Sequence, residues 1–196
     1  MKLGFNMLLW TPFVTEEHFP IFEKLKKAGY DGVELPMFDG TPEHYAKVGQ
    51  ALKDNGLACH AVAVMPDEHH NCTHSDPKLR QNGLNKINAT VDCLEAAGGE
   101  VLCGPFYQPL AVFTGEPPTE EEKAGTVETH KQAAQYAAQK GIKLAVEPLN
   151  RFESYLINTV ADAADIVKRV DEPNYGLLYD TFHANIEEKD PVGRVD

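Results

Sequence analysis

The sequence has little positive charge and no cluster of arginines. Of its 196 residues, 18 are lysine or arginine and 30 are aspartate or glutamate, so the formal net charge is −12 at pH 7. The four arginines are scattered along the chain, at Arg80, Arg151, Arg169 and Arg194. Binding to nucleic acid or to an anionic membrane surface needs a basic patch. The composition therefore argues against both classes of partner.

Closely spaced cysteines and long apolar runs are also missing. The four cysteines show no CxxC spacing, and the apolar stretch at the amino end is too short for the charged, apolar and small-residue layout of a signal peptide. We therefore expect a cytoplasmic protein with reduced cysteines. The hydrophobic fraction of 42% and the charged fraction of 24% are ordinary for one globular domain.

Short strand-like runs alternate with longer amphipathic stretches along the chain. The runs with strand character are residues 3–9, 31–35, 58–64, 101–103, 143–146 and 176–179. The stretches with helical character are residues 16–28, 42–55, 77–97, 119–139 and 159–170. This alternation predicts an α/β fold with parallel strands covered by helices. The pattern alone leaves open whether the sheet is doubly wound or belongs to a barrel.

Two acidic residues stand where predicted strands end. Glu147 closes the apolar run 142–146, and Asp180 closes the run 175–179. Neighbouring parallel strands present their carboxyl ends at the same edge of a sheet, so we expect both carboxylates at one site. Carboxylate oxygens suit hard divalent cations. The alternative is that each acid is only a helix N-cap or a solvated loop residue.

The loops after the third and fourth predicted strands are rich in polar and aromatic side chains. The first, residues 65–76, carries three histidines, and the second, residues 105–118, carries three aromatic residues. Both loops should lie on the same face as Glu147. The histidines have no matching cysteine or carboxylate pattern for a metal site, and a solvated loop explains them equally well.

The carboxyl end of the sequence has the pattern of a further helix start. Asn185 and Glu188 have the spacing of an N-cap and its N3 acid. His183 would then lie in a loop, three residues after Asp180.

Two segments carry a family resemblance. VEPLNRFE, residues 146–153, and YDTFHANIEE, residues 179–188, resemble the strand-five and strand-six signatures of the D-tagatose 3-epimerase/D-psicose (allulose) 3-epimerase family. These enzymes are xylose-isomerase-like TIM barrels. The resemblance implies one (β/α)8 TIM-barrel domain over residues 1–196, with only about six βα units present and strands seven and eight missing. A complete barrel typically has ~250 residues.

The resemblance also implies an activity. The family's chemistry is that of an isomerase, a metal-dependent ketose 3-epimerase that inverts C3 of a free ketohexose by deprotonation and reprotonation through an enediolate. Glu147 and Asp180 match two metal ligands, and Glu147 also matches one of two catalytic acid/bases. Manganese is the expected ion, with magnesium or cobalt as alternatives. The family's histidine ligand on strand seven and catalytic glutamate on strand eight have no counterpart in this sequence. A homodimer or homotetramer is implied as well.

Further positions are implied to contact the sugar. Glu153 and His183 match residues that hydrogen-bond the hydroxyls around C1 and C2, although Glu153 could instead be a first-turn acid of a helix. Glu34 ends the second predicted strand and faces the same rim. The remaining expected pocket residues are Asn6, Phe106 and Tyr107. Because Asn6 replaces an aromatic residue of the family and the fourth loop lacks its tryptophan, the preferred ketose is left open.

Other functions stay open on the sequence alone. An aldose–ketose isomerase of the hydroxypyruvate or xylose type, or an inosose dehydratase, would share the barrel. A non-catalytic sugar- or metal-binding module would bind metal without proton exchange, and a structural fragment would fold only with a partner. An endonuclease of the same superfamily would need more histidine ligands and a basic DNA face, which the charge of −12 argues against.

Overall fold

Parallel strands form one sheet in sequence order, with helices between them. The computed structural model describes residues 1–193. Its strands are Gly4–Asn6 (β1), Gly32–Pro36 (β2), Ala58–Val62 (β3), Val101–Gly104 (β4), Lys143–Val146 (β5) and Tyr175–Leu177 (β6). Its α-helices are Phe19–Lys27 (α1), Pro42–Asp54 (α2), Pro77–Ala96 (α3), Glu120–Ala138 (α4), Val160–Val170 (α5) and Thr181–Glu187 (α6). Short 3-10 helices lie at Met7–Leu9, Glu16–His18 and Glu68–His70.

The strand pairing is that of consecutive βα units in a barrel. Each pairing between neighbouring strands is parallel, from β1 with β2 through to β5 with β6. Within residues 1–193, β1 pairs only with β2 and β6 only with β5, so this part of the sheet is a barrel segment that is not closed. The predicted α/β alternation and barrel class are confirmed. The last three residues of the predicted domain, 194–196, lie outside the described residues.

The first strand is shorter than the apolar pattern predicts. Residues 7–9 leave the sheet and form a 3-10 helix. Asn6 caps that helix, because its side-chain oxygen accepts a hydrogen bond from the Leu8 amide at 2.8 Å. The cap ends β1 at the edge where the other strands also end.

The apolar core joins one face of the sheet to the helices. In β2, Val33 and Leu35 are fully buried, whereas Glu34 between them is only partly buried. The two apolar residues belong to the same buried cluster as Phe22 of α1 and Leu52 of α2. Burying each such side chain contributes about 1.5–3 kcal/mol. The other face of the sheet is left for polar side chains. None of the helices within residues 1–193 is long and apolar enough to cross a membrane.

Side-chain caps set where the long helices begin. Thr41 caps α2 immediately before Pro42. Thr119 and Thr159 form reciprocal capping boxes at the starts of α4 and α5. The helix starts predicted from the sequence are thus reproduced to within a residue in α2, α4 and α5.

The last helix begins earlier than predicted. Asp180 is the N-cap of α6, since its Oδ1 accepts a hydrogen bond from the Phe182 amide at 2.6 Å. The predicted start at Asn185 is wrong, because Asp180 already satisfies an amide of the first turn. His183 consequently lies inside a helix rather than in a loop, and its side chain is buried.

Candidate active site

Glu147 and Asp180 meet at the carboxyl ends of adjacent strands. Glu147 directly follows β5, and Asp180 follows β6 after a short connection. The register pairs Val146 with Leu177, so both chains leave the sheet at the same edge. Ligand atoms of Glu147, Asp180 and His183 all lie within 4.8 Å of one another. The structure therefore brings together the two acids that the sequence placed at one site.

Glu147 is held in a buried, negatively charged environment. Its exposed fraction is 7%. Burial, followed by the charge of Asp180 and a hydrogen bond to it, raises the pKa of Glu147 to about 8. Glu34 and Glu153 raise that pKa further through their own charges. Without a cation nearby, Glu147 is therefore protonated at neutral pH.

This donor set fits a divalent cation. Glu147 and Asp180 offer hard oxygen ligands at one point, the type preferred by Mg²⁺ and Mn²⁺. Within residues 1–193, Glu147 Oε1 lies 3.8 Å from Nε2 of His183, and neither acid pairs with lysine or arginine. Because no basic side chain offsets their charge, a bound cation would favour the ionised form of both acids.

His183 presents its Nε2 to the carboxylates. Its Nδ1 accepts a hydrogen bond from the Asn150 amide at 3.2 Å, and Asn150 Nδ2 lies 2.9 Å away. A ring nitrogen that accepts from N–H carries no proton, so in the neutral imidazole the proton lies on Nε2. Nε2 is 3.8 Å from Glu147 Oε1. With that proton, His183 acts as a hydrogen-bond donor toward the site and does not offer a lone pair to a metal.

Glu153 lies in the loop between β5 and α5. Its Oε1 accepts a hydrogen bond from Asn150 Nδ2 at 2.7 Å. Its charge contributes to the raised pKa of Glu147, which places it near the acidic pair. The alternative that Glu153 belongs to the first turn of a helix is wrong, because α5 begins at Val160.

Glu34 is held by polar side chains on the inner face of the barrel segment. Its Oε1 accepts a hydrogen bond from Asn6 Nδ2 at 2.6 Å. Its Oε2 lies 3.2 Å from His60 Nε2 and accepts from Cys103 Sγ at 3.2 Å. Burial raises the pKa of Glu34, but the hydrogen bonds from His60 and Cys103 outweigh burial and hold that pKa below its usual value. Glu34 is thus ionised, and both polar side-chain atoms of Asn6 are used within the protein.

Phe106 and Tyr107 lie in the core rather than in a pocket. Both side chains are fully buried. The Phe106 ring packs against His130 with centroids 5.4 Å apart, and the Tyr107 hydroxyl donates to Ser154 Oγ at 3.2 Å. The prediction that these two aromatic residues contact substrate is therefore wrong for this structure, because neither side chain is accessible. Tyr107 instead supports the loop that carries Glu153.

Three residues of the site were not singled out by sequence reasoning. Cys103 and His60 come from strands distant in sequence from Glu34, and no local pattern marks them. Asn150 is only 2% exposed although it is polar and lies in a loop. The only sequence signal for Asn150 was its position inside the segment VEPLNRFE, and that position did not indicate what the residue does.

Comparison with known proteins identifies the relatives of this fold. The family model described as xylose isomerase-like TIM barrel matches residues 22–195. A ketose 3-epimerase from Arthrobacter globiformis is 31% identical over 191 residues, which cover 97% of this chain and 65% of the relative. An L-ribulose 3-epimerase from Methylomonas sp. is 33% identical over 165 residues, which cover 83% of this chain and 56% of the relative.

A solved structure shows the same relationship. The crystal structure of a D-allulose 3-epimerase from Methylomonas sp. in complex with D-allulose has a TM-score of 0.88 to this chain at 30% identity, covering 96% of this chain and 65% of that one. The chain therefore spans between 56% and 65% of the length of these three proteins.

Proposed function

Because the chain belongs to the xylose isomerase-like TIM barrel family, we propose that it is a metal-dependent ketose 3-epimerase acting on a free ketose sugar. One observation carries the proposal: a buried glutamate and an aspartate meet at the carboxyl ends of adjacent strands, with a histidine Nε2 3.8 Å from the glutamate. Relatives named as ketose and L-ribulose 3-epimerases support the same substrate class.

In this proposal Glu147 and Asp180 hold the metal ion. Mn²⁺ is the first candidate, and Mg²⁺ or Co²⁺ are the alternatives, because the proposed ligands are carboxylate oxygens. When bound, the ion supplies positive charge that stabilises the negative charge developing on the substrate. The ionised form of Glu147 is favoured beside such a charge, whereas burial and Asp180 otherwise raise its pKa to about 8.

Glu147 is the base for the first half of the reaction. Its carboxylate accepts the proton from C3, the electrons of the broken C–H bond form the C2–C3 double bond of an enediolate, and the C2 oxygen gains negative charge. His183 donates its Nε2 proton in a hydrogen bond to that oxygen. Glu153 accepts a hydrogen bond from a hydroxyl near C1. Return of a proton to the opposite face of C3 inverts the centre, and we assign only the deprotonation to residues of this chain.

Deuterium uptake tests the reaction. The protein is incubated with D-fructose or D-tagatose in D2O with Mg²⁺, and NMR locates the deuterium. Incorporation at C3 is expected. Incorporation at C1 would instead indicate an aldose–ketose isomerase, and metal binding without any exchange would indicate a non-catalytic sugar- or metal-binding module.

Two variants and a chelated sample serve as controls. Glu147→Gln removes the base and a ligand, so exchange should be lost, as it should be after chelation. Glu95→Gln changes a carboxylate that pairs with Lys140 on the outside of the fold, so exchange should be kept. The homodimer or homotetramer that the resemblance implies stays a prediction, which light scattering would test.

A further inference from the structure

Asn150 is a buried loop residue whose polar groups are all engaged. Its Oδ1 accepts a hydrogen bond from the Phe152 amide at 2.9 Å, which closes a local turn. Its Nδ2 donates to Glu153 Oε1 at 2.7 Å and lies 2.9 Å from His183 Nδ1. Its backbone amide donates to the same Nδ1 at 3.2 Å. One residue thus contacts two of the predicted sugar-binding side chains, those of Glu153 and His183.

The side-chain amide of Asn150 permits only one arrangement of hydrogen-bond donors and acceptors around it. An NH2 group has two hydrogens and no lone pair to share, so both of its partners must be acceptors. Glu153 therefore offers a carboxylate oxygen, and His183 offers an unprotonated Nδ1. Any protonated Nδ1 would oppose two N–H donors at a site that is almost fully buried.

The loop has a second attachment to α6 that does not involve His183. Arg151 donates from Nε to Glu187 Oε1 at 2.9 Å and from an Nη to Oε2 at 2.7 Å, and its backbone amide donates to Oε1 at 2.8 Å. This bidentate pair docks the loop on the helix. The side-chain amide of Asn150 is therefore not needed merely to hold the loop in place.

We propose that Asn150 is a positioning residue of this site, one that keeps the His183 proton on Nε2 and aims the Glu153 carboxylate. The catalytic effect of Asn150 rests on the proposed function, because only in that reaction does His183 donate a hydrogen bond to a sugar oxygen. Its effect on His183 itself does not rest on that function. The two parts can therefore fail separately.

Asn150→Asp is the sharpest test, because it keeps the size of the side chain and the oxygen that accepts from the Phe152 amide. It replaces the donor facing His183 and Glu153 with a second acceptor. We expect the imidazole ¹⁵N spectrum of the metal-free protein to gain a population with a protonated Nδ1 of His183, in competition with the backbone amide of residue 150, which still faces Nδ1. The His183→Gln variant assigns the signal, and Arg151→Ala, which removes the bidentate side-chain pair with Glu187, should leave the wild-type pattern.

Asn150→Ala covers the case in which the aspartate variant fails to fold. It removes the amide without adding charge, so a measurable population with the proton on Nδ1 is expected. If a folded variant at position 150 keeps the pure Nε2–H form, the proposed role is wrong.

Activity gives the second readout. Loss of a hydrogen bond to a charged group is expected to lower kcat/KM for the ketose by about 10–100-fold in Asn150→Asp, with a much smaller loss in Arg151→Ala. Equal losses in both variants would mean that Asn150 only docks the loop and would refute positioning. If the wild type shows no exchange activity but Asn150→Asp shows the expected change at Nδ1 of His183, the proposed function is refuted and the tautomer assignment stands.

Discussion

Ionisation of Glu147 should destabilise the metal-free protein as the pH rises. Its pKa is raised from 4.5 to about 8 by burial and by Asp180. A carboxyl whose pKa is higher in the folded state binds its proton more tightly there, so this stability is complete below pH 4.5 and is lost as the pH rises through about 8. The difference of about 3.5 pH units, at 1.36 kcal/mol each, corresponds to about 5 kcal/mol over the whole range, of which about 3 kcal/mol is lost by pH 7.

Urea unfolding with chelator present would measure this effect. The free energy of unfolding is determined from pH 4.5 to 8.5 for the wild type and for Glu147→Gln, whose neutral amide mimics the protonated acid. We expect the variant to gain stability relative to the wild type by about 3 kcal/mol between pH 4.5 and 7. Glu95→Gln should follow the wild-type curve. A constant difference between wild type and Glu147→Gln across this range would refute the reasoning.

Three further predictions follow from single contacts. His130 is fully buried, and burial lowers its pKa to about 4. Its contribution to stability should therefore fall by about 3 kcal/mol as the pH drops from 6.5 to 4, opposite in sign to that of Glu147. The unfolding free energy of His130→Gln should rise by that amount relative to the wild type over this range, and parallel curves would contradict it. Gly49→Ala should cost about 1–3 kcal/mol in urea unfolding, because the new Cβ would lie 2.3 Å from the Ala97 carbonyl oxygen; an unchanged midpoint would show that the helices can separate freely. Glu153→Gln should raise KM for the ketose about tenfold with a smaller change in kcat, and a loss confined to kcat would place Glu153 in the chemical step instead.

Much of the fold could be predicted because its signals are local. An apolar run followed by an acid marked the end of β5, and the capping residues of α2, α4 and α5 are next to the helices they start. Local patterns gave the wrong helix start where two residues could each act as the N-cap. Asp180 and Asn185 are both good N-caps, and the choice depended on where the chain left β6.

The aromatic residues after β4 show a different limit. Phe106 and Tyr107 looked like pocket residues because their loop lies on the same face as Glu147. Their burial depends on partners from α4 and from the loop after β5, such as His130 and Ser154. Composition cannot distinguish a ring that lines a pocket from one that packs beneath it.

By itself, the sequence determined the alternation of strands and helices and the meeting of Glu147 with Asp180, because parallel order places successive strand ends together. Only the tertiary structure decided which groups of the site carry protons and which side chains hold them in place. Asn150 reaches His183 across 33 positions, and Cys103 reaches Glu34 across 69. Such hydrogen bonds depend on which distant segments pack side by side, and no local periodicity or spacing encodes that choice.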